Sequence, residues 1–182
     1  PALPQPLYQY IRKELKLLAD KIHSTTELLS ITGTSLLWLE SVEPENNFIR
    51  VKAVPGFTRT LYELDAPARL YLNSLSQSML ARFDQARFYE SSPGYRSLSK
   101  AKALKLIRTA QTHRVTLDHR GNQNSIRRYA ALLTYQNKTF IITAAEADTV
   151  LNNKKKHINF LCSCLEQTGK KIMEEINEYT AY

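Results

Sequence analysis

The sequence is short of glycine. Five glycines in 182 residues argue against a glycine-rich phosphate loop and against a turn-dense all-β barrel. Neither Gly-x-Gly-x-x-Gly nor Gly-x-x-x-x-Gly-Lys-Ser/Thr occurs, so no nucleotide cradle is expected. Cysteine is almost absent. Cys162 and Cys164 are the pair present, and two residues apart on a helix they project about 200° from each other. They are badly placed to pair, a disulfide scaffold is excluded, and the chain suits a reducing, cytoplasmic setting. No Cys-x-x-Cys occurs, and no two of His23, His113, His119 and His157 stand three or four apart in one helix. No metal and no cofactor are expected. The Gly-x-Ser-x-Gly elbow is missing too, and no carboxylate pair stands out at a strand end. An enzyme on this chain would need a non-standard site. No apolar run approaches the roughly 20 residues of a membrane span, and no charged-then-apolar leader is visible. No membrane partner is expected. No internal repeat is seen.

What is present is a globular composition, 43% hydrophobic and 23% charged. Its length suits one domain over 1–182. Lys and Arg outnumber Asp and Glu by 25 to 17, a net charge of +8. That excess permits an anionic partner without establishing one.

The spacing of Ile11, Leu15, Leu18, Ile22 and Leu29 predicts a helix over about 7–29, with Gly33 as its stop. The stretch "SLLWLESVEPENNFIRVKAVPGF" then reads as a hairpin of two strands. Its first strand, around Leu36 to Glu40, is apolar on both faces and is predicted to be central. Its second alternates over 48–53 as the edge partner. Apolar steps from 68 to 89 predict helical structure. Pro93-Gly94 punctuates a loop. Ser99 caps a further helix running to about 112. Three strands follow, "RVTLDH", "IRRYAALLTY" and "TFIITAAEA", as a meander expected to dock on the free side of the central strand. A last helix spans about 149–179, roughly 45 Å at about 1.5 Å per residue. Leu151, Ile158, Leu165 and Ile172 recur at seven, a spacing that suits pairing with a second helix. The fold class is α+β: a central antiparallel sheet of about five strands, long terminal helices and a helical insertion.

This order resembles a GAF domain, a sensor fold related to PAS. "TSLLWLESVEPENNFIRVKAVPGF" is similar to that family's first two strands. "RYAALLTYQNKTFIITAAEADTVLNNKKKHINFLCSCLEQTGKKI" is similar to its closing hairpin and helix. The cyclic-nucleotide "NKFDE" motif is missing, as is the Cys-His pair of bilin-binding members. The resemblance therefore implies neither ligand. It implies a non-catalytic regulatory domain that dimerises through its terminal helices, either with a small-molecule pocket between sheet and insertion or as a scaffold that has lost its ligand. The ligand-binding residues it suggests are Trp38 and Val51 on the sheet, Tyr71 and Tyr95 in the insertion, and Arg127 or Tyr129 on the meander. A buried Arg there would suit an anionic ligand. Arg127 and Arg128 face opposite sides of one strand, so one at most should point inward.

The alternative is a nucleic-acid or acidic-partner surface. It would use Lys100, Lys105, Arg108, Arg114, Arg120, Arg128, Lys154, Lys155 and Lys156, interleaved with tyrosines. Dispersed solvated faces explain the same residues more simply, since no recognised nucleic-acid motif accompanies them. His113, His119 and Asp118 could converge near a strand end, but isolated histidines there are usually packing or surface residues.

Overall fold

The computed structural model describes residues 3–46, 53–91, 94–110, 114–149 and 153–181. Helix α1, Gln5–Ile22, buries Leu7, Ile11, Leu15, Leu18 and Ile22 along one face. It ends at His23, which takes the left-handed conformation. The expected continuation to residue 29 is instead a strand, β1, Thr25–Thr32. Thr25, Thr26, Ile31 and Thr32 are β-branched and favour the extended chain. Leu29 fits the helical stripe and the strand alternation alike, so it misleads.

Gly33 serves a different turn from the one expected. Thr32 pairs with Ser35, leaving Gly33 and Thr34 as a two-residue hairpin turn into β2, Ser35–Val42. Gly33 has φ +58°, a conformation suited to glycine at the first turn position. Strand β2 also pairs with β3, Thr58–Thr60. The strand predicted over 48–53 falls almost wholly outside the described residues.

The insertion is several short pieces rather than one long helix. They are α2 (Ala66–Ser74), α3 (Gln77–Leu80), a 3-10 turn at Gln85–Arg87, a small hairpin of β4 (Tyr89–Glu90) and β5 (Arg96–Ser97), and α4 (Lys100–Arg108). Polar caps punctuate it. Asp65, Ser76 and Asp84 each accept a backbone N–H at the start of a piece. Ser99 caps α4 as predicted. The chain closes with β6 (Thr116–Leu117), β7 (Ile126–Tyr135), β8 (Lys138–Ala147) and α5 (Lys154–Thr180).

The six strands run β3-β2-β1-β8-β7-β6, with every pairing antiparallel. The meander therefore docks on β1, whose first residues the helical spacing assigns to a helix, and not on β2. On one face of the sheet α1 and α5 cover Leu28, Tyr129, Leu133 and Ile142. On the other, α2 covers Leu29, Leu36, Trp38, Ala130 and Ile141. A third cluster, including Tyr62, Phe88 and Ile107, ties α4 to the rest of the insertion. Among the described residues no helix is long and apolar enough to cross a membrane.

Candidate functional site

Strand β7 sends Arg127 to the helix-covered face and Arg128 to the insertion face. They face opposite sides of the strand, as the alternation predicts, and both are buried, at 0% and 4% exposure. Each is matched by a carboxylate from another strand, Arg127 by Glu146 of the adjacent β8 and Arg128 by Glu27 of β1, one strand further across the sheet. Arg127 donates to Glu146 and, at 2.6 Å, to Asp148. The Tyr129 hydroxyl donates to the same Glu146 oxygen at 2.7 Å. His157 on α5 meets the other Glu146 oxygen at 2.6 Å. This cluster clamps the start of α5 to the sheet. Arg127 and Tyr129 thus lie under the terminal helices, away from the insertion.

On the insertion face, Arg128 donates through Nε and Nη2 to the two oxygens of Glu27, at 2.9 and 3.1 Å. The Thr143 hydroxyl also donates to Glu27. Burial works against charge on Glu27, yet Arg128 beside it and the hydrogen bonds from Arg128 and Thr143 hold its pKa below the usual carboxylate value. Trp38, fully buried, lies between two cations. Its ring centroid is 5.4 Å from the Arg128 guanidinium carbon and 5.8 Å from that of Arg59.

Arg59 connects this layer to a cleft. It ion-pairs with Asp65 and lies 3.6 Å from Glu63. Ser91 donates its hydroxyl to Glu63. Opposite, Arg69 on α2 donates to the Leu117 carbonyl at 2.9 Å and to Asp118 at 3.2 Å. Burial raises the Asp118 pKa, and Arg69 and Arg59 only partly oppose it. Glu63, Asp65, Arg69, Ser91, Asp118 and His119 thereby frame a cleft of about 220 Å³, with Glu90 and Arg120 toward its mouth. Burial and the nearby Arg128 lower the pKa of Arg59.

A larger hollow of about 970 Å³ wraps the tips of the two hairpins. Tyr8 and Phe140 line it from the helix face, and Ile31 and Tyr71 from the insertion face. It is a saddle around an edge, without the converging charges of the smaller cleft.

The residues singled out from sequence are therefore dispersed. Trp38 lies beneath the cleft, touching its Arg59. Tyr71 lines the saddle. Tyr95 is 73% exposed and packs on Tyr89 with ring centroids 4.8 Å apart. Val51 and His113 lie outside the described residues. Of the basic set, Lys100, Lys105, Arg108, Arg114, Arg120, Lys154, Lys155 and Lys156 are exposed. They are spread over α4, the segments flanking β6 and the start of α5. Arg128 is interior. Glu27, Arg59, Glu63, Asp65 and Arg69 were not anticipated. One signal was available: "ELDAP" places Asp65 as an N-cap before a proline, a helix start that fixes Glu63 beside it.

No protein-family model matches the chain. No curated protein resembles it in sequence. Solved structures nevertheless share its fold. An IclR transcriptional regulator from Alicyclobacillus acidocaldarius matches with TM-score 0.75 at 15% identity, over 92% of this chain and 67% of that one. The Thermotoga maritima IclR matches with TM-score 0.75 at 12% identity, over 93% and 68%. The inducer-binding domain of the PobR transcription factor from Acinetobacter, in complex with 3-hydroxybenzoic acid, matches with TM-score 0.75 at 11% identity, over 95% of this chain and 98% of that one. The chain spans about two thirds of the length of the two IclR chains. At such identities the likeness is one of fold, and that fold is the GAF-like α+β architecture built above.

Proposed function

We propose that this chain is a ligand-sensing, dimer-forming regulatory domain of a transcription regulator. Its effector enters the cleft between the insertion and the β6–β7 end of the sheet. The observation that carries this reading is the cleft itself. Charged side chains from the segment between β3 and α2, from α2, from β4 and from the segment after β6 converge there, and among the described residues no recognised catalytic constellation accompanies them. A site of this kind binds and reports, because a ligand that re-pairs its ions shifts the elements carrying them. The likeness in fold to an inducer-binding domain supports the same reading.

Trp38 is the chain's one tryptophan and touches Arg59, which in turn pairs with two walls of the cleft. Its fluorescence is the natural reporter. Titration with a panel of amines, carboxylates and neutral metabolites is expected to give a saturable emission change for one class. A panel in which nothing alters emission or melting temperature would remove the sensing reading.

A further inference from the structure

The insertion side of the sheet carries an unequal set of charges. Among the described residues, Glu27, Glu63, Asp65 and Asp118 face three guanidiniums, those of Arg59, Arg69 and Arg128. Arg128 is committed to Glu27 through two hydrogen bonds. Arg69 is committed to Asp118 and a carbonyl. Arg59 must serve both Asp65 and Glu63, and it leans to Asp65. Its Nε stands 3.6 Å from Glu63 and makes no hydrogen bond. Glu63 is 6% exposed. Among the described residues its one side-chain hydrogen-bond partner is the Ser91 hydroxyl. It is a buried carboxylate, short of a cation, in the wall of a cleft. This happens in a chain whose net charge is +8, so the local surplus does not follow from composition.

Buried charge without a full partner is costly, and a bound counter-charge repays the cost. Resting on the sensing reading above, we propose that the cleft takes a small organic cation, an ammonium or guanidinium compound, received by Glu63. The guanidiniums of Arg59, Arg69 and Arg128 each already face a carboxylate, and an incoming carboxylate would meet Glu63, Asp65 and Asp118 together. Arg69 adds a second requirement. Its Nε is buried and without a hydrogen-bond partner, and it lines the same cleft. The ligand therefore also carries an oxygen acceptor, as an amide or hydroxyl. Glu90, which also lines the cleft, is paired with the more exposed Arg96 at 2.6 Å and adds no free charge there. Arg120 and His119 are exposed there, where water screens their opposing charge.

The test uses the full chain and named probes: glycinamide, argininamide and putrescine against acetate and 3-hydroxybenzoate, read by calorimetry and Trp38 emission. At least one amine probe is expected to bind saturably at millimolar concentration, with the oxygen-bearing amides ahead of putrescine. Glu63→Gln is expected to weaken that binding by about tenfold or more, the usual worth of a charged hydrogen bond. Its unliganded melting temperature is expected to stay at or above that of the parent, because the surplus charge is gone. Binding of carboxylates alone would overturn the cation proposal and leave the sensing reading standing. Failure of every amine probe to bind would overturn it as well. So would a large drop in melting temperature for Glu63→Gln, which would mean that Arg59 already compensates Glu63 in full.

Discussion

Glu27 and Arg128 form a pair in which each residue is tolerable only because of the other. Both are buried, and the ring of Trp38 and the hydroxyl of Thr143 complete the surroundings. Removing one partner strands the other charge. Glu27→Gln is expected to cost about 3–5 kcal/mol in urea unfolding. Glu27→Gln with Arg128→Met is expected to recover part of that loss, and additive losses would show the pair to be uncoupled. The pH dependence has a definite sign. The folded pKa of Glu27 is held below its ordinary value, so the pair's stabilisation is complete above about pH 4.3, the unfolded value. It is lost as pH falls through the folded pKa. Asp118 runs the other way. Its raised folded pKa means that stability declines as pH climbs above the ordinary carboxylate range. In Glu27→Gln the acid-side loss should be shallower than in the parent. None of this pairing was legible from sequence. Glu27 lies 101 positions from Arg128, inside a stretch whose leucines continue a helical stripe. A lone arginine in a strand gives no sign of which carboxylate will cross the sheet to meet it.

Strand β7 matches its predicted span, 126–135, and α4 starts at its predicted cap. Those segments carry one pattern each, and nothing nearby competes with it. Strand β1 does not stand out in the sequence because Leu29 satisfies two periodicities, and the β-branched residues around it decide between the two. The apolar stripe of the long terminal helix predicts its kind, and α5 runs Lys154–Thr180. What the sequence could not state is how closely it lies on the sheet. Gly169 faces that contact: an added Cβ would sit 3.6 Å from the Cβ of Ala131 and 3.7 Å from the Cδ1 of Ile142. These are ordinary van der Waals separations. Gly169→Ala is therefore expected to fill the space without strain and to remove a helix penalty of about 1 kcal/mol. That corresponds to a rise in melting temperature of roughly 2–4 °C. Gly169→Leu is expected to lower stability by about 1–3 kcal/mol through overpacking. A fall in melting temperature for the alanine variant would show that the helix is closer to the sheet than these distances state.

The molecule as a whole is three layers, with the paired terminal helices on one face of the sheet and the insertion on the other. This changes how self-association must work. The sevenfold spacing in α5 suggested a seam for a second helix, but Leu165 and Ile172 are fully buried against the protein's own sheet, as is Leu15 of α1. Leu151 lies outside the described residues. The seam is spent within one chain. What the outer helical layer still offers is Leu17 on α1 at 54% exposure, with Phe160 and Tyr179 on α5 also exposed. Leu17 borders a shallow groove of about 220 Å³ shared with Cys164, Gln167 and Lys171. Three apolar side chains fall short of the roughly 800 Å² that a stable interface takes from each partner. A dimer through this layer must therefore also enlist the ion-paired rim, Glu14 with Lys171 and Glu166 with Lys170. Such a dimer should weaken as salt rises. Sedimentation equilibrium is expected to give twice the 20.9 kDa chain mass at low salt. Leu17→Asp with Phe160→Asp is expected to return it to one chain mass without lowering the melting temperature of the monomer, because neither side chain belongs to the core. A parent protein that stays monomeric at high concentration and low salt would end the proposal that terminal helices pair. Any signal from the ligand cleft would then have to leave the domain through the insertion side.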